Sequence, residues 1–298
     1  MIANANIRTD RIGLSQRTWW GVTHIMVVFA MGISVNGCGS DDNNSALAQG
    51  AGRPFVAPIV FQAAGPDLTS IQGTIEQYRM ALGATNNGNN PGPLADGRRE
   101  INWDGGNPSN TTVSAVGTPF NGFQVTRGAL FTTAGTGFVQ APVAGLATTF
   151  TNPTYETIFQ TFSPQRLFSP INSNVTEALF FVPGPGAETK PATTRGFGAV
   201  FTDIDQPNGS SADYLNGNRK PSTIVEYFDT TGASIYTSSV PASPGDKSMS
   251  FLGIVFTDAR IAKVKITSGD TAPGPNDDGT HDIVMMDDFF FGEPQPRL

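Results

Sequence analysis

One stretch near the C-terminus, Asp282-Ile283-Val284-Met285-Met286-Asp287-Asp288-Phe289-Phe290-Phe291-Gly292-Glu293, restricts the fold more than any other. It reads as a strand, in which successive side chains face opposite sides of a sheet. Unbroken alternation puts Ile283, Met285, Asp287, Phe289 and Phe291 on one face, and Val284, Met286, Asp288 and Phe290 on the other. A strand that is apolar on both faces is covered on both, so it belongs inside a layered body. Each face also carries one carboxylate. Burying an unpaired carboxylate is costly, so at least one of Asp287 and Asp288 needs a cation or a set of hydrogen-bond donors.

The rest of the chain suits such a body. Charged residues make up 14% of it, against roughly 25% in ordinary soluble chains. The 34 Gly and 22 Pro fit short strands joined by many turns. Strand-like runs recur at 128–131, 154–162, 177–182, 195–202, 222–228, 233–238, 249–257 and 260–267. Pro183-Gly184-Pro185-Gly186 and Pro207-Asn208-Gly209 are among the turns between them. One helix is legible: Leu68, Ile71, Ile75, Tyr78 and Leu82 form a stripe, with Asp67 suited to cap its start and Gly83 to stop it. Residues 55–61 read as an edge strand because of Pro58. The expected fold is all-β: an antiparallel jelly-roll β-sandwich over 98–298 with one accessory N-terminal helix. Residues 55–97 supply a short strand, the helix and a loop packed on it.

Residues 1–37 read as an export leader, with Arg8, Arg11 and Arg17 ahead of the apolar run Ile25-Met26-Val27-Val28-Phe29-Ala30-Met31-Gly32-Ile33. It ends at Val35-Asn36-Gly37-Cys38, and Cys38 is the sole cysteine. These residues resemble the lipobox of bacterial lipoproteins, with Asn36 a departure, and imply lipidation at Cys38. Ala46-Leu47-Ala48 offers a competing cut, which would release a soluble secreted protein. Residues 38–54 form a polar tether. Loss of the leader removes three Arg and one Asp and takes the formal charge from −7 to −9. An acidic body argues against nucleic acid as a partner and leaves membrane contact to the lipid alone. The expected location is the cell envelope or the exterior.

The order of motifs carries a resemblance. Ile101-Asn102-Trp103-Asp104 is followed by Arg195-Gly196-Phe197-Gly198-Ala199-Val200-Phe201-Thr202-Asp203-Ile204-Asp205, then Val225-Glu226-Tyr227-Phe228-Asp229-Thr230-Thr231-Gly232. Ser250-Phe251-Leu252-Gly253-Ile254 and Ile261-Ala262-Lys263-Val264-Lys265-Ile266 lead to the closing Met286-Asp287-Asp288-Phe289. Over residues 98–294 this resembles the jelly-roll modules of bacterial exoproteins, including those sorted by a PEP-CTERM tail, whose architecture is akin to galactose-binding-like domains. The resemblance implies the fold; most such modules have no assigned activity. The last residues lack the sorting tail, so the leader is expected to do any anchoring.

In jelly rolls of this kind the first and last strands tend to be neighbours, which would bring Asp104 near Asp287 or Asp288. Asp203 and Asp205, two apart at a strand end, add carboxylates, and calcium takes six to eight oxygens of this type. A structural calcium site drawn from Asp104, Asp203, Asp205, Asp287 and Asp288 is one reading. The other is that Asp203 and Asp205 cap a turn while Asp287 or Asp288 pairs with Arg98, Arg99 or Arg195. Asn276-Asp277-Asp278-Gly279 reads as a plain turn. Catalysis finds little support: past the leader only His281 remains, and no nucleophile elbow, zinc motif or phosphate loop is present. Glu100, Glu156, Glu177 and Glu226 are nominal glycosidase acids, but no spacing selects a pair. Binding is the better fit. The long polar loop 207–220 holds Tyr214, Asn216 and Arg219, an aromatic with hydrogen-bonding neighbours of the type that grips sugars. The expected role is a non-catalytic module for carbohydrate or cell-surface binding. A purely structural envelope protein and a glycan-active hydrolase or lyase are the alternatives.

Overall fold

The computed structural model describes residues 57–105, 113–205, 222–275 and 281–297. The leader, Cys38 and the tether to 54 lie outside them. The elements are β1 (Ile59–Gly65), α1 (Thr69–Leu82), β2 (Arg98–Ile101), β3 (Ser114–Gly117), β4 (Ala129–Thr132) and β5 (Gly137–Ala141). Then come α2 (Val143–Phe150), α3 (Tyr155–Ile158), β6 (Leu167–Ile171), β7 (Val175–Phe180), β8 (Ala192–Thr193) and β9 (Gly196–Thr202). The last are β10 (Ile224–Phe228), β11 (Ser234–Ser239), β12 (Met249–Val255), β13 (Lys263–Thr267), β14 (Met285–Gly292) and β15 (Gln295–Pro296).

These strands build an antiparallel sandwich, and the chain is all-β in class. The large sheet runs β1-β12-β9-β14-β6-β5-β3, with β2 also paired to β14; the small one runs β11-β10-β13-β7-β4. Between them lies the main core, where Phe131, Phe180, Phe197, Phe201, Val225, Tyr227, Val264, Phe289 and Phe291 are all buried. Trp103 joins it, stacked on Phe168 with ring centroids 3.7 Å apart. As the sequence suggests, β14 is interior: every residue in it is buried. It pairs with both the opening strand β2 and β9.

The outer face of the large sheet carries the helices. Asp67 Oδ1 accepts Ser70 N at 3.0 Å at the start of α1. Gly83, at φ 135°, closes its end by donating to Arg79 O. The stripe Ile71, Ile75, Tyr78 and Leu82 is wholly buried against Val200, Met249, Phe251 and Phe290. Tyr78 can come this close because two strands present glycine beneath it. A Cβ at Gly198 would sit 2.8 Å from the ring, and one at Gly253 2.7 Å. Any larger residue in β9 or β12 at those positions would lift the helix off the sheet.

Two local expectations change. Residues 154–162 are not a strand: Tyr155–Ile158 is a short helix, which with α2 forms a second outer cluster of Leu146, Phe150, Tyr155, Phe159, Leu167 and Met285. The apolar residues of this stretch are equally compatible with either element, and packing on β5 and β6 decides. The alternation in β14 also breaks. Met286 pairs with Phe201, yet Phe289 pairs with Ala199, so Asp287 and Asp288 together oppose Val200 alone. This is a β-bulge. It puts Met286 on the same inner face as Phe289 and Phe291, while Met285 and Phe290 face outward.

Candidate functional site

The bulge brings both acids of β14 to one place. Segment 159–166 crosses the outer face of the large sheet there, from Phe159 in the α2–α3 cluster to Phe162 beside the α1 cluster. Asp287 Oδ2 accepts the amide of Phe162 at 2.6 Å. Ser163 Oγ lies 2.6 Å from Asp288 Oδ1, 3.3 Å from Asp104 Oδ2 and 3.4 Å from Asp287 Oδ1. Asp104 Oδ1 accepts the amides of Gln165 and Arg166, the latter at 2.8 Å. Trp103, at φ 64°, makes the turn that delivers Asp104, and its Nε1 donates to Asp287 O at 2.9 Å. Asp104, Asp287 and Asp288 thus meet as the sequence proposed, around a serine that it did not single out. No local pattern marks Ser163, because its partners stand 59 to 125 positions away.

Asp287 is fully buried and Asp288 nearly so. Burial, then the charge of Asp288, holds the Asp287 carboxyl well above the usual carboxylate range. Burial likewise pushes Asp288 up to about 6, against the hydrogen bonds from Ser163 and Asp287. Burial also raises Asp104. Burial thus favours the protonated form of both carboxyls, as expected of two acids at close range in the interior. Expected partners for this pair go elsewhere. Arg98 binds Glu100 at 2.6 Å, and Arg99 binds Glu293 through Nε and Nη2, each at 2.7 Å. Arg195 Nε is buried without a hydrogen-bond partner. The β2–β14 register explains the miss: Arg98 and Arg99 lie opposite Gly292 and Phe291, at the far end of the strand from the bulge.

Asp203 and Asp205 join a different place, past the end of β9. Asp203, at φ 69°, donates its amide to Ser248 O at 3.0 Å. Asp205 Oδ1 accepts Gly245 N at 2.7 Å, and its amide donates to Asp282 Oδ1 at 3.2 Å. Among the described residues, no group of three or more His, Cys, Asp or Glu is arranged to hold a metal ion. Three of the four nominal glycosidase acids are held in ion pairs. Glu177 binds Lys263, Glu226 binds Lys265 and Glu100 binds Arg79 and Arg98. Half-exposed His281 stands 3.5 Å from Asp270. Tyr214, Asn216, Arg219 and the 276–279 turn lie outside the described residues.

Connections between the layers gather at one end. Thr202 pairs with both Met249 and Met285, so β9 ends where β12 and β14 begin. Ile224 pairs with Ser239 and Thr267, and Thr267 with Val175, which aligns the matching ends in the small sheet. Segments 172–174 and 240–248 cross there, and residues 203–205, 222–223, 268–275 and 281–284 flank the strand ends on the same side. Backbone bonds from Val240 N to Thr223 O and Ser243 N to Ile204 O tie them together. No helix among the described residues is long and apolar enough to cross a membrane. Neither a family model, nor a curated protein, nor a solved structure matches this chain.

Proposed function

We propose that this chain is an exported, lipid-anchored β-sandwich module that binds carbohydrate or another cell-surface component without catalysis. The observation that carries the reading is that the strand ends flanking four inter-sheet connections align at one end of a two-layer frame. Loops held this way are where sandwiches place ligand contacts. Asp205 and Ser222, which lie at this end, flank the stretch of sequence that contains Tyr214, Asn216 and Arg219. The acid cluster supports the same reading from the other side. Its carboxylates are occupied by the amides of Phe162, Gln165 and Arg166 and by each other, which suits a clamp better than an acid and base across an open cleft. The leader, Cys38 and the motif order that resembles exoprotein jelly rolls favour display at the envelope.

A glycan array probed with the purified mature chain tests the binding role. Retention of particular glycans, lost in Tyr214→Ala and Arg219→Ala, is the expected result. An array without signal, or variants that bind as the parent does, removes the reading. Anchoring is tested by metabolic labelling with a fatty acid, which should tag the parent and spare Cys38→Ser.

A further inference from the structure

An asparagine followed by glycine is the pair whose backbone attacks its own side chain most readily, because glycine puts no Cβ in the way of ring closure. The chain contains such pairs at Asn36-Gly37, Asn87-Gly88, Asn121-Gly122, Asn208-Gly209 and Asn216-Gly217. Those at Asn87 and Asn121 lie among the described residues, and the fold treats them differently. Asn87 is buried. Its Nδ2 donates to Asp96 O at 2.9 Å and to Glu293 Oε2 at 2.8 Å, which fixes the carboxamide. The nitrogen that would attack it, Gly88 N, donates to Asn86 Oδ1 at 3.1 Å. Gly97 packs against the same group: a Cβ there would stand 2.6 Å from Asn87 Nδ2. Ring closure at Asn87 therefore needs local opening first. Asn121 is the opposite case. It and Gly122 are both exposed, on the turn that leads from Phe120 into β4. Phe120 exchanges two backbone bonds with Phe131, and Phe123 sets its ring edge-on to Trp103, so the turn is held at both sides. The Asn121 carbonyl accepts Gln124 N at 2.9 Å. Among the described residues, neither the Asn121 carboxamide nor the Gly122 amide has a hydrogen-bond partner.

We propose that Asn121 is a site of spontaneous deamidation, and that the fold protects Asn87 from the same reaction. Hydroxide takes the proton of Gly122 N, and the nitrogen bonds to Asn121 Cγ. The bond from Cγ to Nδ2 breaks as Nδ2 takes a proton from water and leaves as ammonia. Water then opens the succinimide at either carbonyl, giving aspartate or isoaspartate; nothing is oxidised or reduced. The turn ahead of β4 gains a carboxylate, and isoaspartate also adds a methylene to the main chain between Phe120 and Gly122. The full chain, incubated at mildly alkaline pH both native and in urea, tests this by timed peptide mapping with mass spectrometry. In the native chain Asn121 should convert faster than Asn87 by about tenfold or more, since only there can nitrogen and carbon reach attacking geometry without opening. In urea the two rates should converge. Equal native rates overturn the proposal. An Asn87 that is as slow in urea as in the native chain overturns the protection by the fold. Asn121→Ser removes an exposed side chain without partners, so it should fold as the parent does and lose the conversion in its peptide. Conversion that persists there would belong to Gln124 and would overturn the assignment to Asn121.

Discussion

Glu293 and the Asp287–Asp288 pair are buried acids on or just past the same strand, neutralised in opposite ways. Glu293 has a cation: Arg99 grips it with two nitrogens, and Asn87 and the Leu94 amide complete its shell. The aspartates have no salt bridge: burial favours their protonated forms, and Ser163 and the Phe162 amide surround them. The difference follows from position. At the far end of β14 the neighbouring strand supplies Arg98 and Arg99, whereas at the bulge it has already turned away at Trp103. A buried acid without a salt bridge favours its protonated form, and that makes its contribution depend on pH.

The largest expected effect comes from removing the cation. Arg99→Met leaves Glu293 buried and uncompensated, which should cost about 3–5 kcal/mol in denaturant unfolding. Adding Glu293→Leu should recover much of it, because the unpaired charge goes with it. A double variant no better than Arg99→Met would mean that shape, not charge, holds this site.

The aspartate pair should show itself in pH. Both folded-state pKa values lie above their unfolded values. The stability they confer is therefore fully present below about pH 4 and falls as pH rises, through about 6 for Asp288 and further for Asp287. The slope approaches about 1.4 kcal/mol per pH unit for each proton that unfolding releases. Urea titrations from pH 4 to 8 read this directly, and a flat profile would contradict the raised pKa values. Asp287→Asn mimics the protonated acid, so its profile should be shallower and its stability at pH 8 at least that of the parent. An unchanged slope would assign the proton elsewhere. The smallest effect is expected from Ser163→Ala, about 1 kcal/mol. It should expose the Phe162 and Arg166 amides to faster hydrogen exchange while the β12 amides stay protected.

Particular residues show how far the sequence reached. The stripe Ile71, Ile75, Tyr78 and Leu82 was legible because helix periodicity is a local signal. The convergence of Asp104 with Asp287 and Asp288 was legible only through the expectation that first and last strands are neighbours. Ser163 was hidden, and so was the pairing of Arg99 with Glu293 across 194 positions. The face assignment in β14 failed at the bulge. One extra residue shifts every side chain beyond it to the other side, and nothing in Asp287-Asp288 announces this.

The amino-acid order alone determined an all-β body, its outer helix and an interior closing strand, because these follow from periodicities of two and three to four residues. Tertiary structure alone decided which acid received a cation and which was left without one to favour its protonated form. That outcome depends on register between strands distant in the chain, where a one-residue slip exchanges a buried partner for an apolar one.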